Sequence, residues 1–472
     1  MLIASTFLAP EEQKTALLWI CIAVTAYFVL SRVCFEYCEP FNNLPASLVS
    51  FLLPALTLPR VLCCVMFPLS LSLSLDIEFV PVGGYDDEAG DVEGAADMMD
   101  VEGDDDAEVF ADVSAFTISS HDEPVYCVAI NQTNPDIVAT GAGDDMAKVF
   151  QRQENVDGIV EMKEMFTCKG HEDSVVDIAF STNGKLLATA GYDATVKIWD
   201  VATGDLVQSL TGPADAIEWI QWHKKGSVIL GGSSDATAWM WLASSGACMQ
   251  VFAGHEDAIS CGAFSGNGKV VVTGSVDGSA KLWNPKSGEC LFTFRVHSHG
   301  WHTEGIVTLA VHPTKPLAIT GGQDGTARLI QLQHHKILAT FSHENATPVD
   351  GKGEIAVYGV EAVGFSPSFN WAASGSMDGK LRVWDLKNNT CRHECMHPAG
   401  VIKLTWHATL PLIITACADA KVRVWDARNG DLLKELAGHS DVILAMDAYF
   451  AADDVATIFT GSDDTNAKVF TV

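Results

Sequence analysis

The sequence predicts an all-β protein, an eight-bladed β-propeller, and three observations carry that expectation. A short Gly/Ser/Thr stretch runs into an Asp eight times, and six residues after each Asp stands a bulky hydrophobic residue. The pairs are Asp144/Phe150, Asp193/Trp199, Asp235/Trp241, Asp277/Trp283, Asp324/Ile330, Asp378/Trp384, Asp419/Trp425 and Asp464/Phe470. Successive bulky anchors are 49, 42, 42, 47, 54, 41 and 45 residues apart. A period near 40–45 residues is that of a four-stranded blade repeated around a central channel. A histidine also recurs near the head of the repeat. His171, His255, His302, His397 and His439 each stand nine residues before Phe180, Phe264, Val311, Trp406 and Ala448.

The elements follow in a fixed order within each repeat. The constant offset after the histidine places it at the head of the innermost strand. The next strand is a short apolar run, as in Lys185–Ala190, Lys269–Gly274 and Leu412–Ala416. Glycine, asparagine or proline turns bound these runs. Turns such as Ser181–Lys185 and Ser265–Lys269 end in Gly-Lys. They precede a strand rather than a helix and lack the spacing of a phosphate-binding loop, so that reading is rejected. The chain stops at Val472, two residues past Phe470, and leaves the last blade short of its outer strand. The segment Ala115–His121 has the pattern of an outer strand, such as Leu206–Leu210, and is expected to close the ring. Closure protects the strand edges that would otherwise be open to pairing.

These motifs resemble the WD-repeat family over roughly residues 115–472. In that family the His, a strand Ser or Thr, the turn Asp and the Trp form a buried hydrogen-bonded tetrad. The resemblance implies three full tetrads: His171, Thr189, Asp193 and Trp199; His255, Thr273, Asp277 and Trp283; His397, Thr415, Asp419 and Trp425. A buried imidazole and a buried carboxylate each need a partner, so such residues are expected to satisfy one another rather than act on a substrate. Some repeats depart from the pattern. The third has Pro213 and Gly231 in place of the His and the hydroxyl, the fifth has Ile330 for Trp, and the sixth has Ala356 at the His offset. Those blades are expected to rest on strand pairing and apolar packing.

Charge bounds the partners. Of 60 acidic and 29 basic side chains, 19 and 3 fall in residues 1–113, which leaves 41 and 26, net −15, for the propeller. That sign disfavours direct nucleic-acid contact and favours a basic protein segment. Acid recurs at one structural place, just after the repeat histidine: Asp122 and Glu123, Glu172 and Asp173, Glu256 and Asp257, Glu304, and Asp441. Every one lies where an outer strand hands over to the next inner strand. Rotational repetition therefore gathers them on one face of the disc, as a partner-binding ring. Thirteen cysteines show no disulfide framework, which fits a reducing compartment. Cys391, His393, Cys395 and His397 alternate along one strand and spread too far for a tetrahedral ion. No metal, no cofactor and no catalytic residue is expected, and the propeller is read as a monomer.

The chain divides into an apolar extension (1–75), an acidic disordered segment (76–113) and the propeller (114–472). Residues 76–113 carry fifteen acids and no base, too few apolar groups to fold. Two readings of 1–75 stand. Leu69–Leu75 is an alternating Leu-Ser run of the kind a translated dinucleotide repeat yields, which points to leader sequence or a gene-model artefact. Alternatively, the uncharged stretch 15–31 is a single-span anchor at the lower limit of length.

Finer motifs sharpen the resemblance. An acidic leader before Val109–Asp112, the run His121–Val128, the Gly-x-Gly-Asp-Asp-x-Ala run at 141–147 and the insertion Ser342–Pro348 are similar to the angio-associated migratory cell protein family. That family includes a fungal chaperone holding the basic N-terminus of a new large-subunit ribosomal protein. The resemblance implies a non-enzymatic escort of a basic ribosomal protein, in the cytoplasm and also the nucleus. Two other readings remain: a substrate receptor of a cullin-type ubiquitin ligase, from the Trp-Asp-Ala-Arg ending at Arg428, and a signalling scaffold in cell migration.

Overall fold

The computed structural model describes residues 111–154, 160–295, 300–343, 357–451 and 454–472. The apolar extension, the acidic segment up to residue 110 and the insertion after His343, with Ala356, lie outside the described residues. Thirty-two strands, β1 to β32 in chain order, pair into eight four-stranded antiparallel sheets, and no helix occurs among the described residues. Seven sheets use four consecutive strands, and the eighth runs β1-β32-β31-β30. Its outer strand is β1 (Phe116–Ile118), with Phe116 opposite Val469 and Ile118 opposite Ala467 of β32 (Ala467–Thr471). The innermost strand of this blade, β30 (Ile443–Phe450), packs beside β2 (Val125–Ile130), so the ring is closed.

The core is a set of wedges between blades rather than a single centre. Ala139 and Val149 of the first blade pack with Ile178, Leu187 and Trp199 of the second. Ala188 and Ile198 pack in turn with Trp222, Ile229 and Trp241 of the third. The bulky anchor six residues after each turn Asp is thus a packing group. Trp241 is fully buried and Trp283 almost so, and side chains of this size contribute a few kcal/mol each on burial.

Two local features position the groups at the channel mouth. The residue after every turn Asp is left-handed, and in five blades it is not glycine: Asp145, Ala194, Ala236, Ala420 and Thr465 have φ of 61–66°. This conformation lets the Asp side chain cap its own turn, as Asp193 Oδ1 does by accepting from the Thr195 N–H at 3.0 Å. In addition, seven of the eight innermost strands carry a bulge near their start. In β2 the register steps from Val125 to Cys127 and leaves Tyr126 unpaired. A bulge re-aims the side chain of the extra residue, and here it lies at the face where the chain enters each blade.

Candidate protein-interaction face

The histidine networks hold this face together. His171 Nδ1 lies 2.9 Å from Asp193 Oδ2, and its Nε2 lies 2.8 Å from Thr189 Oγ1. Trp199 Nε1 donates to the same hydroxyl at 3.0 Å. Donors and acceptors balance if Nδ1 carries the proton, since the Thr189 hydroxyl then donates to Nε2 and accepts from the indole. Blade four repeats the arrangement, with His255 to Asp277 at 3.2 Å, His255 to Thr273 at 2.7 Å and Trp283 to Thr273 at 2.8 Å. Burial would raise the Asp193 and Asp277 carboxyls, but the hydrogen bonds from His171 and His255, summed with those from Thr195, Ser279 and the Glu172 and Glu256 amides, outweigh it and hold both below the usual carboxylate range. Burial also lowers His255. Blades one, five and eight lack the Trp yet keep the His–Asp–Thr network, through His121, His302 and His439.

Two sequence expectations need correction. In blade seven His397 does not reach Asp419. Arg423, four residues on, takes both Asp419 oxygens, at 3.1 and 2.6 Å, so His397 Nδ1 turns to the Cys395 carbonyl at 3.2 Å. His397 Nε2 still meets Thr415 at 3.0 Å, and Trp425 donates to Thr415 at 3.2 Å. A bidentate guanidinium–carboxylate pair is the stronger bond, and it wins the carboxylate. Blade six is not without its histidine either. His343 Nε2 lies 2.6 Å from Ser374 Oγ, which also accepts from Trp384 Nε1 at 2.8 Å. The insertion separates this histidine from its inner strand, so a fixed nine-residue offset lands on Ala356 instead.

The carboxylates after each histidine are displayed on the surface. The backbone N–H of Glu172 donates to Asp193 Oδ2 at 3.1 Å, and that of Glu256 to Asp277 Oδ2 at 2.8 Å. The turn Asp thereby fixes the loop while the glutamate side chains stay exposed. Asp122, Glu123, Asp173, Asp257, Glu304 and Asp441 are exposed as well. All lie at the same end of the blades, since each follows an outer strand and precedes an inner one. Asp215 of blade three joins them, two residues after Pro213; counting the offset from the proline finds it. Blade seven has Pro398, Ala399 and Gly400 there, so the acid is an arc among the described residues rather than a full ring.

Sequence reasoning missed an inner group next to this arc. The unpaired bulge residue Tyr126 and the pre-turn residue Tyr192 are 37% and 45% exposed. Burial first, then Asp463 and Glu123, raises the Tyr126 hydroxyl. Burial, then Glu218, Tyr126 and Asp173, pushes Tyr192 up to about 12. Asp463 is itself raised by burial and by Asp441 and Asp464. Two aromatic rings thus stand among carboxylates from blades eight, one, two and three. A cationic side chain entering here would gain ion pairs and a ring face together.

The channel wall below is occupied structurally. Asp177 accepts from Ile220 N at 2.7 Å and Ile178 N at 2.8 Å, and Asp447 accepts from Ile130 N and Ala448 N, both at 2.8 Å. Burial pushes both carboxyls up to about 6. Elsewhere, His393 Nε2 meets the Arg428 carbonyl at 2.8 Å, and no group of three metal-ligating side chains occurs among the described residues. Arg428 lies at the opposite end of its blade, clasped by Asp426 at 2.6 Å. No helix among the described residues is long and apolar enough to cross a membrane.

Comparison with known proteins agrees with this architecture. The WD domain, G-beta repeat model matches residues 113–151, 162–200 and 246–284, and the Nucleolar protein 10-like, N-terminal domain model matches 267–472. The Saccharomyces cerevisiae Sqt1 structure shares the fold, with TM-score 0.69 and 19% identity over 77% of this chain and 100% of that one. Sqt1 of Chaetomium thermophilum, solved bound to the N-terminus of the ribosomal protein L10, has TM-score 0.66 and 22% identity over 77% of this chain and 100% of that one. Human angio-associated migratory cell protein is 32% identical over 376 residues, 79% of this chain and 81% of its own length. At that identity and coverage, the chain belongs to the angio-associated migratory cell protein family of WD-repeat propellers.

Proposed function

We propose that the acid-lined face holds the basic N-terminal segment of a newly made large-subunit ribosomal protein, and that the propeller is a non-enzymatic escort. The observation that carries this reading is the placement of Tyr126 and Tyr192 among Glu123, Asp173, Glu218 and Asp463. A lysine- or arginine-rich peptide carries the charge that these mutually repelling carboxylates lack. Family membership supports the reading, as does the fold shared with a chaperone solved on a ribosomal-protein N-terminus. Held this way, a basic segment is neutralised until it is handed to its assembly site.

Binding of a basic ribosomal-protein N-terminal peptide, followed by fluorescence anisotropy, tests it. Affinity should fall as salt rises, because exposed charges are screened over about 8–10 Å at 0.1–0.15 M. Glu123→Lys with Asp463→Lys should weaken binding at least tenfold. Glu256→Lys with Asp257→Lys, farther round the arc, should weaken it less. Each pair should leave the fold intact, since surface substitutions usually stay within about 0.5 kcal/mol. Binding indifferent to salt and to both reversals would place the partner elsewhere.

A further inference from the structure

Net charge hides a segregation by face. The turns between the first and second strands of each blade lie at the end of the disc opposite the acid arc, because those strands are antiparallel. In blades two to five these turns carry Lys185, Lys224 and Lys225, Lys269, and Lys315, all exposed. The four turns form a continuous line. Trp222 Nε1 donates to the Ala179 carbonyl at 2.9 Å, beside the turns of blades two and three. Gly268 abuts His223, where an added Cβ would lie 2.5 Å from Nε2, and Gly266 abuts Pro313, where one would lie 2.3 Å from the carbonyl oxygen. The acids at this end of the same blades, Asp200, Asp205 and Glu289, stand on the turns between the outer two strands. Asp200 Oδ1 is already held by the Ala202 and Thr203 amides.

One point on this line is built as a cleft. His223, Lys224 and Lys225 form one wall, and the Gly266–Gly268 turn forms the other. The Lys225 amide donates to His223 Nδ1 at 3.2 Å, which leaves Nε2–H as the ring's donor. The cleft therefore offers cationic and donor groups toward an anion.

We infer that the lysine arc of blades two to five binds the phosphate backbone of a nucleic-acid helix, on the face opposite the acid arc. Lysines act on phosphate as point charges, and backbone contacts of this kind need no base readout. Single strands are gripped by stacking on aromatic rings, and no large hydrophobic side chain among these turns is exposed. A duplex backbone, read by shape and charge, is the better fit. The inference is independent of the basic-segment reading, since the two use opposite faces.

The test uses the full chain with a labelled RNA hairpin, a DNA duplex of the same sequence and a poly-glutamate peptide, each followed by anisotropy at 50–200 mM salt. At least one helix should bind, with a log–log salt slope of up to about −4, near 0.9 per phosphate neutralised. Lys224→Glu, Lys225→Glu and Lys269→Glu together should lower affinity at least tenfold and shrink the slope by about 2 to 3. The corresponding Lys→Gln triple should fall between. Both triples should retain parental binding of the basic peptide, which shows the ring folded and separates this result from any failure of the acid face. No helix binding at 50 mM salt, binding unchanged in the triples, or tighter binding of poly-glutamate would each overturn the inference.

Discussion

At the residue scale, one hydroxyl satisfies two buried groups. Thr189 Oγ1 meets His171 Nε2 and Trp199 Nε1 at 2.8 and 3.0 Å. Thr189→Val keeps the shape and removes both bonds, so it should destabilise the protein by about 2–4 kcal/mol, read from the urea midpoint at constant m. A loss below about 0.5 kcal/mol would mean that the network is not a structural tie. His397 gives a pH signature. Burial, with the Arg423 charge, depresses it to about 4. Its unfolded value is near 6.5, so between these limits the unfolded chain binds more protons. Stability from this site is therefore full above pH 6.5 and is lost as pH falls toward 4, by roughly 3 kcal/mol. Asp177 and Asp447, raised to about 6, act in the opposite direction between about 4 and 6. The difference between the parent and His397→Gln removes their contribution. That difference should shrink steadily from pH 7 to 4, and a constant difference in urea midpoint would refute the assignment.

At the scale of the element, three residues complete a blade. The β1 strand supplies the outer edge of the last sheet, and Ile118 is buried there. Asp112 adds an ion pair to Lys468 at 2.5 Å. Deleting residues 114–120 should open that edge and lower the melting temperature of the whole ring in one cooperative transition. The deletion must stop before His121, because that side chain belongs to the network of blade one, 2.8 Å from Asp144 and 2.7 Å from Thr140. An unchanged melting temperature would show that the ring does not depend on this closure. The bulges make the complementary point about function. A single extra residue in β2 turns Tyr126 out of the ladder, to the channel mouth.

For the whole molecule, charge is arranged by face. A net −15 propeller carries an arc of exposed acids at the entry end of the blades and a run of lysines on the inner-strand turns at the other. The closed ring starts at β1 among the described residues, so its stability should be independent of the apolar extension. A chain beginning at residue 82 should melt with the full-length protein within about 1 °C in calorimetry, since a 1 kcal/mol loss would shift a protein of this size by roughly 1 °C. A larger fall would show that residues 1–81 contribute to the fold.

The sequence by itself determined the blade number, the order of strands, the closing strand and the full networks of blades two and four. These are local or strictly periodic: the offset from Asp193 to Trp199 is fixed by a turn and half a strand, and repetition makes it visible. It also located the acids of the arc that stand within two residues of a repeat histidine, but not Asp215, which follows Pro213. Only the tertiary structure decided three things. His343 takes the place that spacing assigned to Ala356, because an insertion changes chain distance but not the position of the blade end. Arg423 captures Asp419, because two donors compete for one carboxylate and spacing does not rank them. Tyr126, Tyr192 and Asp463 converge from different blades, and Lys185, Lys224 and Lys269 line up on the far face, because neighbours across a closed ring are set by its rotation and not by the order of residues in the chain.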